Sequence, residues 1–390
     1  MPTAPPNTSI FDVPVERRHT GSLKWDKYED RDILPFWVAD MDFISPDCVI
    51  RALSDRIDHG VFGYGRPRPS LNDAVTGYLQ NSHSISAEPD HLVWLPGLVP
   101  AINMACRAVG DIGDSVMTCS PVYPPFRAAP ANADRKLIDV PLVHRDDGVW
   151  TFDFPAMEAA VQPDTRLFIL CNPHNPTGRV YNRLELDTLF AFCEKHDLVL
   201  CSDEIHCDLI LNPDTQHISA AAVAPPSLQT RLITLHAPSK TYNIAGMAFS
   251  YAVIPDPKLR TRFNRAGAGF LPELNVAIPY AAEAAYRHGE PWRRELIDYL
   301  RDNRDTLYAY IADHMPQLKL SPMDATYLAW IDARSLNLPD PVGFFEKHGV
   351  ALSDGKFFGL HGFVRFNFGC TRALMLEGLS RMKAAIANLP

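Results

Sequence analysis

The 390-residue chain holds eight cysteines but no CxxC pair. Cys48, Cys106, Cys119, Cys171, Cys193, Cys201, Cys207 and Cys370 are scattered, several of them inside apolar runs. This argues against a zinc ribbon or a disulfide framework, and reads as reduced thiols packed as small hydrophobes in a cytoplasmic protein. Basic residues never run beyond a few positions, and the formal net charge is −9. Nonspecific nucleic-acid binding, which needs clustered Lys and Arg, is therefore not expected. No window reaches the ~18 apolar residues of a membrane span. The stretch Met1 to Ser9 is polar and rich in Pro and Thr. It lacks the basic start and apolar core of a signal peptide. Repeats and low-complexity blocks are missing too. The 14 histidines show no HExxH or comparable spacing, so no metal site is expected.

What is present is an ordinary globular composition, 46% hydrophobic and 21% charged, on a chain long enough for a large and a small lobe. The middle of the sequence alternates short apolar runs with amphipathic stretches. Arg166 to Cys171 is one run. Leu186, Leu189, Phe190 and Cys193 then recur at helical spacing. Leu198 to Cys201 and Arg231 to Leu235 follow as further runs. Strand–helix–strand order with strands apolar on both faces predicts a mainly parallel sheet covered by helices. After about residue 275 the texture changes. Residues 280–314 read as one long or two broken helices, and Tyr327 to Ile331, Val350 to Leu352 and Phe363 to Phe366 as strands of a smaller α+β lobe. The expected division is 45–275 for the large domain, with 1–44 and 276–390 forming the small one.

In parallel sheets ligands bind beyond the carboxyl ends of the strands, and here those ends are polar. Lys240 follows an apolar strand through Ala-Pro-Ser. Taken alone, such a lysine is usually a solvated charge. Desolvated, it becomes an imine-forming amine or a base. Asp203 ends the preceding run; it is either a loop acid or a carboxylate able to keep a pyridinium nitrogen protonated. Asn172 to Gly178 contains two Asn-Pro steps, an ordinary rigid turn in which Asn175 could donate to a phenolate-type oxygen. Gly97, Leu98 and Val99 open a predicted helix (Ile102 to Val109) whose free N–H groups could bind phosphate. Tyr123 could stack on an aromatic ring or be a plain packed aromatic. Arg365 lies inside the apolar run FVRFNFGC. A charge there must be paired internally or serve a ligand, and its planar fork suits a carboxylate.

In this order, the motifs Asn172-Pro173-His174-Asn175-Pro176-Thr177-Gly178, Asp203-Glu204-Ile205-His206, Ser239-Lys240-Thr241-Tyr242-Asn243-Ile244-Ala245-Gly246 and Arg365 resemble fold-type I pyridoxal-5′-phosphate (PLP) enzymes of the class I/II aminotransferase superfamily. Leu34 to Phe43, His59 to Tyr64, Ala325 to Trp330 and Gly362 to Asn367 are similar to the cystathionine β-lyase (cysteine-S-conjugate β-lyase) branch. The resemblance runs from about Arg18 to Met382. It implies an α/β fold, with a mainly parallel seven-stranded sheet flanked by helices and a small α+β domain. It implies a carbon–sulfur β-lyase that releases thiol, pyruvate and ammonia from cystathionine or another cysteine S-conjugate. An aminotransferase on the same fold, or a regulatory partner protein with residual lyase activity, is the alternative.

The resemblance also implies roles. Lys240 is the Schiff-base lysine and shuttles the α-proton. Asp203 pairs with the ring nitrogen, Asn175 and His206 contact the ring hydroxyl, and Tyr123 stacks. Gly97, Leu98, Val99 and Ser239 hold the phosphate. Tyr64 reaches the phosphate of a neighbouring subunit, which makes the active unit a homodimer with sites at the interface. Arg365 binds the substrate carboxylate, and Trp37 and Ala39 line the entrance. Two departures bear on phosphate affinity. Ala248 stands where many members of the superfamily place an arginine, and His236 where a small or hydroxyl residue is expected.

Overall fold

The computed structural model describes residues 9–389. The expectations for residues 1–8, as a stretch that is not a leader and as the start of the small domain, fall outside it. The expected runs become strands because each is apolar on both faces and bounded by turn residues. The large sheet consists of β1 (Leu92–Leu95), β2 (Ser115–Ser120), β3 (Lys136–Pro141), β4 (Thr165–Cys171), β5 (Val199–Asp203), β6 (Leu232–His236) and β7 (Ser250–Val253). Their order across the sheet is β1-β7-β6-β5-β4-β2-β3. Every neighbouring pair is parallel except those made by β7, which runs antiparallel to both β1 and β6.

Helices cover both faces. The first three are α1 (Asp47–Asp58), α2 (Pro69–His83) and α3 (Leu98–Ala108). Then comes α4 (Arg183–Lys195), where Leu186, Leu189, Phe190 and Cys193 are buried as the spacing predicts. Asn182 caps α4 by accepting from the Glu185 N–H, and Glu185 reciprocates on the Asn182 N–H, a capping box that fixes where the helix starts. The stretch 280–314 forms two helices, α5 (Ile278–His288) and α6 (Glu290–His314), broken at Gly289. Any side-chain carbon on Gly289 would sit 2.5 Å from the Tyr242 ring, so close packing demands glycine there.

A second sheet is antiparallel: β8 (Lys319–Leu320), β9 (Leu328–Asp332), β10 (Ser353–Asp354) and β11 (Phe363–Asn367), in the order β8-β9-β11-β10. Its core joins Leu300, Leu307 and Ile311 of α6 to Phe36, Met41 and Phe43 from the N-terminal segment. Leu34–Pro35 also pairs in parallel with Val350–Ala351. Helix α5 buries Ile278, Ala281 and Ala282 instead against Val49, Leu71 and Val75 of α1 and α2. The small core is therefore fed from Glu290 onward rather than from 276.

The segment Trp37–Asp42 crosses from one sheet to the other. Asp42 anchors it, accepting from Lys24 Nζ at 2.7 Å, Arg17 Nη1 at 2.6 Å and Trp25 Nε1 at 2.9 Å. Lys24 is fully buried there, a placement that only a paired ammonium tolerates.

Candidate active site

The carboxyl ends of β1, β2, β4, β5 and β6 open on one cavity, with a total empty volume of about 820 Å³ including its mouth. Its walls carry Gly97, Leu98 and Val99 after β1, Tyr123 after β2, Asn175 after β4, Asp203 and His206 at the end of β5, and Ser239 and Lys240 after β6. Ala39 and Ala248 are among the other lining residues. Residues from Gly97 to Lys240 are thus gathered by the parallel strand ends, as the topology requires.

Gly97 has φ +109° and precedes α3 directly. An L side chain is strained at that angle. Among the described residues no side chain caps the helix, so the N–H groups of its first turn are left for a ligand. A short anion at this point would meet both these donors and the positive end of the helix.

Asp203 is buried, and burial raises its carboxyl to about 7 despite the hydrogen bond from the Ile205 N–H. Lys240 lies partly open to the cavity, its Nζ donating to the Ala39 carbonyl at 2.5 Å. Loss of water lowers this amine to about 8; Arg365 pushes the same way, while Asp40 and Asp203 oppose. His206 is buried and held neutral, pushed down to about 3 by burial and by the positive charges of Lys240 and Arg365. Among the described residues its Nδ1 has no hydrogen-bond partner.

Arg365, on β11, is buried beside this cavity in an adjoining groove that also reaches Trp37, Tyr123 and Lys240. Its Nη1 donates to Asn175 Oδ1 at 2.9 Å, and its Nη2 to the Trp37 carbonyl at 2.9 Å and Ser353 Oγ at 3.2 Å. The Phe358 ring lies beneath the guanidinium at 4.8 Å. Among the described residues no carboxylate contacts it, and its Nε has no partner. The internal salt bridge open from the sequence is therefore not what holds this charge. A buried cation with unused donors suits an anionic ligand. With Oδ1 committed to Arg365, the Asn175 amide nitrogen remains as a donor toward the cavity.

Two expected residues lie elsewhere. Tyr64 is fully exposed and touches no wall of the cavity in its own chain. His236 is buried behind the site, its ring stacked on Tyr251 at 5.7 Å and its Nε2 3.8 Å from Glu204 Oε2. It is not among the lining residues, so its bearing on phosphate affinity is not a direct one. Sequence reasoning missed the carbonyl of Ala39, which accepts from both Lys240 and the Tyr327 hydroxyl. A backbone acceptor leaves no mark in residue identity.

The model of the aminotransferase class I and II family matches residues 31–382. Cystathionine beta-lyase PatB of Bacillus subtilis is 39% identical, covering 97% of this chain and 100% of its own. The crystal structure of OvoB superposes with a TM-score of 0.93 at 45% identity, covering 97% of this chain and 99% of its own. That of cystalysin from Treponema denticola, which contains pyridoxal 5′-phosphate, gives 0.92 at 31% identity, over 97% and 99% of the two chains. The chain belongs to the aminotransferase class I and II family.

Proposed function

We propose that the protein is a PLP-dependent carbon–sulfur β-lyase acting on cystathionine or another L-cysteine S-conjugate, with thiol, pyruvate and ammonia as products. The observation that carries this reading is the Lys240 amine, lowered to about 8, in one cavity with the buried acid Asp203 and near an arginine that no acid contacts among the described residues. Relatives and structures of that chemistry cover nearly the whole chain.

The residues present fit the cofactor. His206 Nδ1 is an unused polar atom on the wall, and the uncapped start of α3 offers N–H groups to a phosphate. Gly97, Leu98, Val99 and Ser239 would hold that phosphate, Tyr123 would cover the ring, and Asn175 and His206 would meet its hydroxyl oxygen. Asp203 would face the ring nitrogen; a carboxyl near 7 shares a proton readily with such a base. When bound, PLP supplies an electron sink for the negative charge left at a substrate α-carbon.

The protein's own part is to bind, orient and move one proton. Arg365 takes the substrate α-carboxylate, which fixes the α-carbon relative to Lys240. Lys240 Nζ, neutral above about pH 8, accepts the α-proton. Ala39 O holds this amine at the cavity edge until then. Trp37 and Ala39 line the entrance and keep bulk water from the transfer.

Tyr64, exposed in its own chain, would complete the phosphate site of a second subunit, which makes the working unit a homodimer. The expected large lobe, 45–275, would extend through α5, leaving the segment before 45 and the residues from Glu290 onward to the small one.

Incubation with cystathionine, followed by assays for thiol and pyruvate, tests the reading. Stoichiometric release of both without any added keto acid is the expected result. Keto acid formed only when a second keto acid is supplied would identify an aminotransferase instead.

A further inference from the structure

Behind the Lys240 turn, away from the cavity, four polar side chains converge on one point. His83 closes α2; Cys207 and Asp208 lie in the turn after β5; Tyr78 is one turn earlier on α2. His83 Nε2 is 2.8 Å from the Tyr78 hydroxyl, 3.1 Å from Asp208 Oδ1 and 3.5 Å from Cys207 Sγ. The Tyr78 hydroxyl is 2.6 Å from Asp208 Oδ1 and 3.9 Å from Cys207 Sγ. The ligand atoms of His83, Cys207 and Asp208 all lie within 4.8 Å of one another.

Hydrogen bonding alone accounts poorly for this crowding. An imidazole nitrogen carries one proton or one lone pair, so Nε2 can satisfy one of its three neighbours. Tyr78 donates to Asp208 Oδ1, so the neighbour that a single imidazole nitrogen leaves without a bond is Cys207 Sγ. A metal ion resolves the count, because one cation satisfies every atom around it. The spacings agree. A tetrahedron with edges of about 3.4 Å has its centre about 2.1 Å from each corner, within the range of zinc bonds to nitrogen, oxygen and sulfur. The geometry points to a buried divalent-cation site of the zinc class, ligated by His83 Nε2, Cys207 Sγ and Asp208 Oδ1, with the Tyr78 oxygen in the fourth position.

The chemistry and the surroundings suit such an ion. Thiolate, imidazole and carboxylate together select a borderline-soft cation over magnesium or calcium. One thiolate and one carboxylate leave a dipositive ion with no net charge, which lowers the cost of burial. Loading releases two protons to solvent, the Cys207 thiol proton and the one His83 Nε2 holds against Asp208, and nothing is oxidised or reduced. The second oxygen of Asp208 accepts from Thr241 Oγ1 at 3.0 Å, an outer contact of the kind that orients metal-bound carboxylates. Thr241 adjoins Lys240, so the ion would fasten α2 and the turn after β5 to the turn that carries the lysine. Spacing in sequence could not reveal this cluster, since 124 residues separate His83 from Cys207.

The test uses the holoenzyme, expressed with zinc sulfate in the medium because the site is enclosed, and purified without chelator. Elemental analysis should find about one zinc per chain, falling at least about fivefold in Cys207→Ser with the PLP content unchanged. Zinc-edge X-ray absorption of the unaltered enzyme should show one sulfur among nitrogen and oxygen ligands, a readout that needs no variant to fold. Zinc below about 0.1 per chain, no sulfur ligand, or the same metal content in Cys207→Ser would each overturn the site.

Discussion

Arg365 and Asn175 join the two sheets through one hydrogen bond, Nη1 to Oδ1 at 2.9 Å, between side chains 190 positions apart. The guanidinium thus meets amide, carbonyl and hydroxyl oxygens but no acid among the described residues. Burial drives it down to about 10, the direction expected of a cation awaiting an anion. Arg365→Ala should weaken amino-acid binding by about 2–5 kcal/mol, as loss of a buried charge partner does. Spectral titration of the holoenzyme with a non-cleaved amino acid measures this. A loss under about 1 kcal/mol would make Arg365 a structural residue.

The Lys240 amine sits at about 8 rather than 10.5. Below that pH it is mostly protonated and cannot attack an aldehyde; above it the neutral form dominates. Capture of PLP by the apoprotein should therefore accelerate as pH rises through about 8 and then level off. Stopped-flow absorbance between pH 6 and 10 follows it. A rate still climbing at pH 10 would show an ordinary, solvated lysine. Borohydride reduction of the holoenzyme should tag Lys240, and Lys240→Ala should carry no tag and no turnover.

Asp203 is raised from 3.8 to about 7. A group with a raised folded-state pKa stabilises the fold fully below the unfolded value and loses that contribution as pH rises through the folded one. Without cofactor, the carboxylate should cost stability progressively between pH 4 and 7. Apo Asp203→Asn should melt above apo wild type at pH 8, by an amount worth a few kcal/mol, with the gap closing toward pH 4. Calorimetry on the two apoproteins decides it. In the holoenzyme the order should reverse, because a ring nitrogen would then share the proton.

Ala248 lines the cavity at φ +51°, with no arginine in its place. Cofactor phosphate must then rely on backbone N–H groups and hydroxyls. Ala248→Arg should slow PLP dissociation on dialysis about tenfold, the worth of one charge-assisted hydrogen bond. Unchanged or faster loss would mean that the phosphate sits out of reach of position 248.

The parallel strands were legible because burial on both faces writes an unbroken apolar run, as in Arg166 to Cys171. The site was legible wherever a strand end carried a side chain with its own chemistry, as at Lys240, Asp203 and Asn175, or where a charge interrupted an apolar run, as at Arg365. Strand β7 was not singled out, being four residues long and close behind the lysine turn. The packing of α5 against α1 and α2 was equally hidden, since an amphipathic face does not name its partner. Ala39 was placed at the entrance, but its grip on Lys240 could not be read, because its carbonyl rather than its side chain reaches the lysine.

That carbonyl belongs to the segment that passes between the two sheets. Asn367, on the small sheet, donates to the Val38 and Asp40 carbonyls, and Asn243, close behind Lys240, to those of Met41 and Phe43. Any shift of one sheet against the other must stretch this tether at one end. Its midpoint is the acceptor that grips Lys240. The amine therefore feels the posture of the whole chain, and a distant substitution that loosens either end should retune its basicity without entering the cavity.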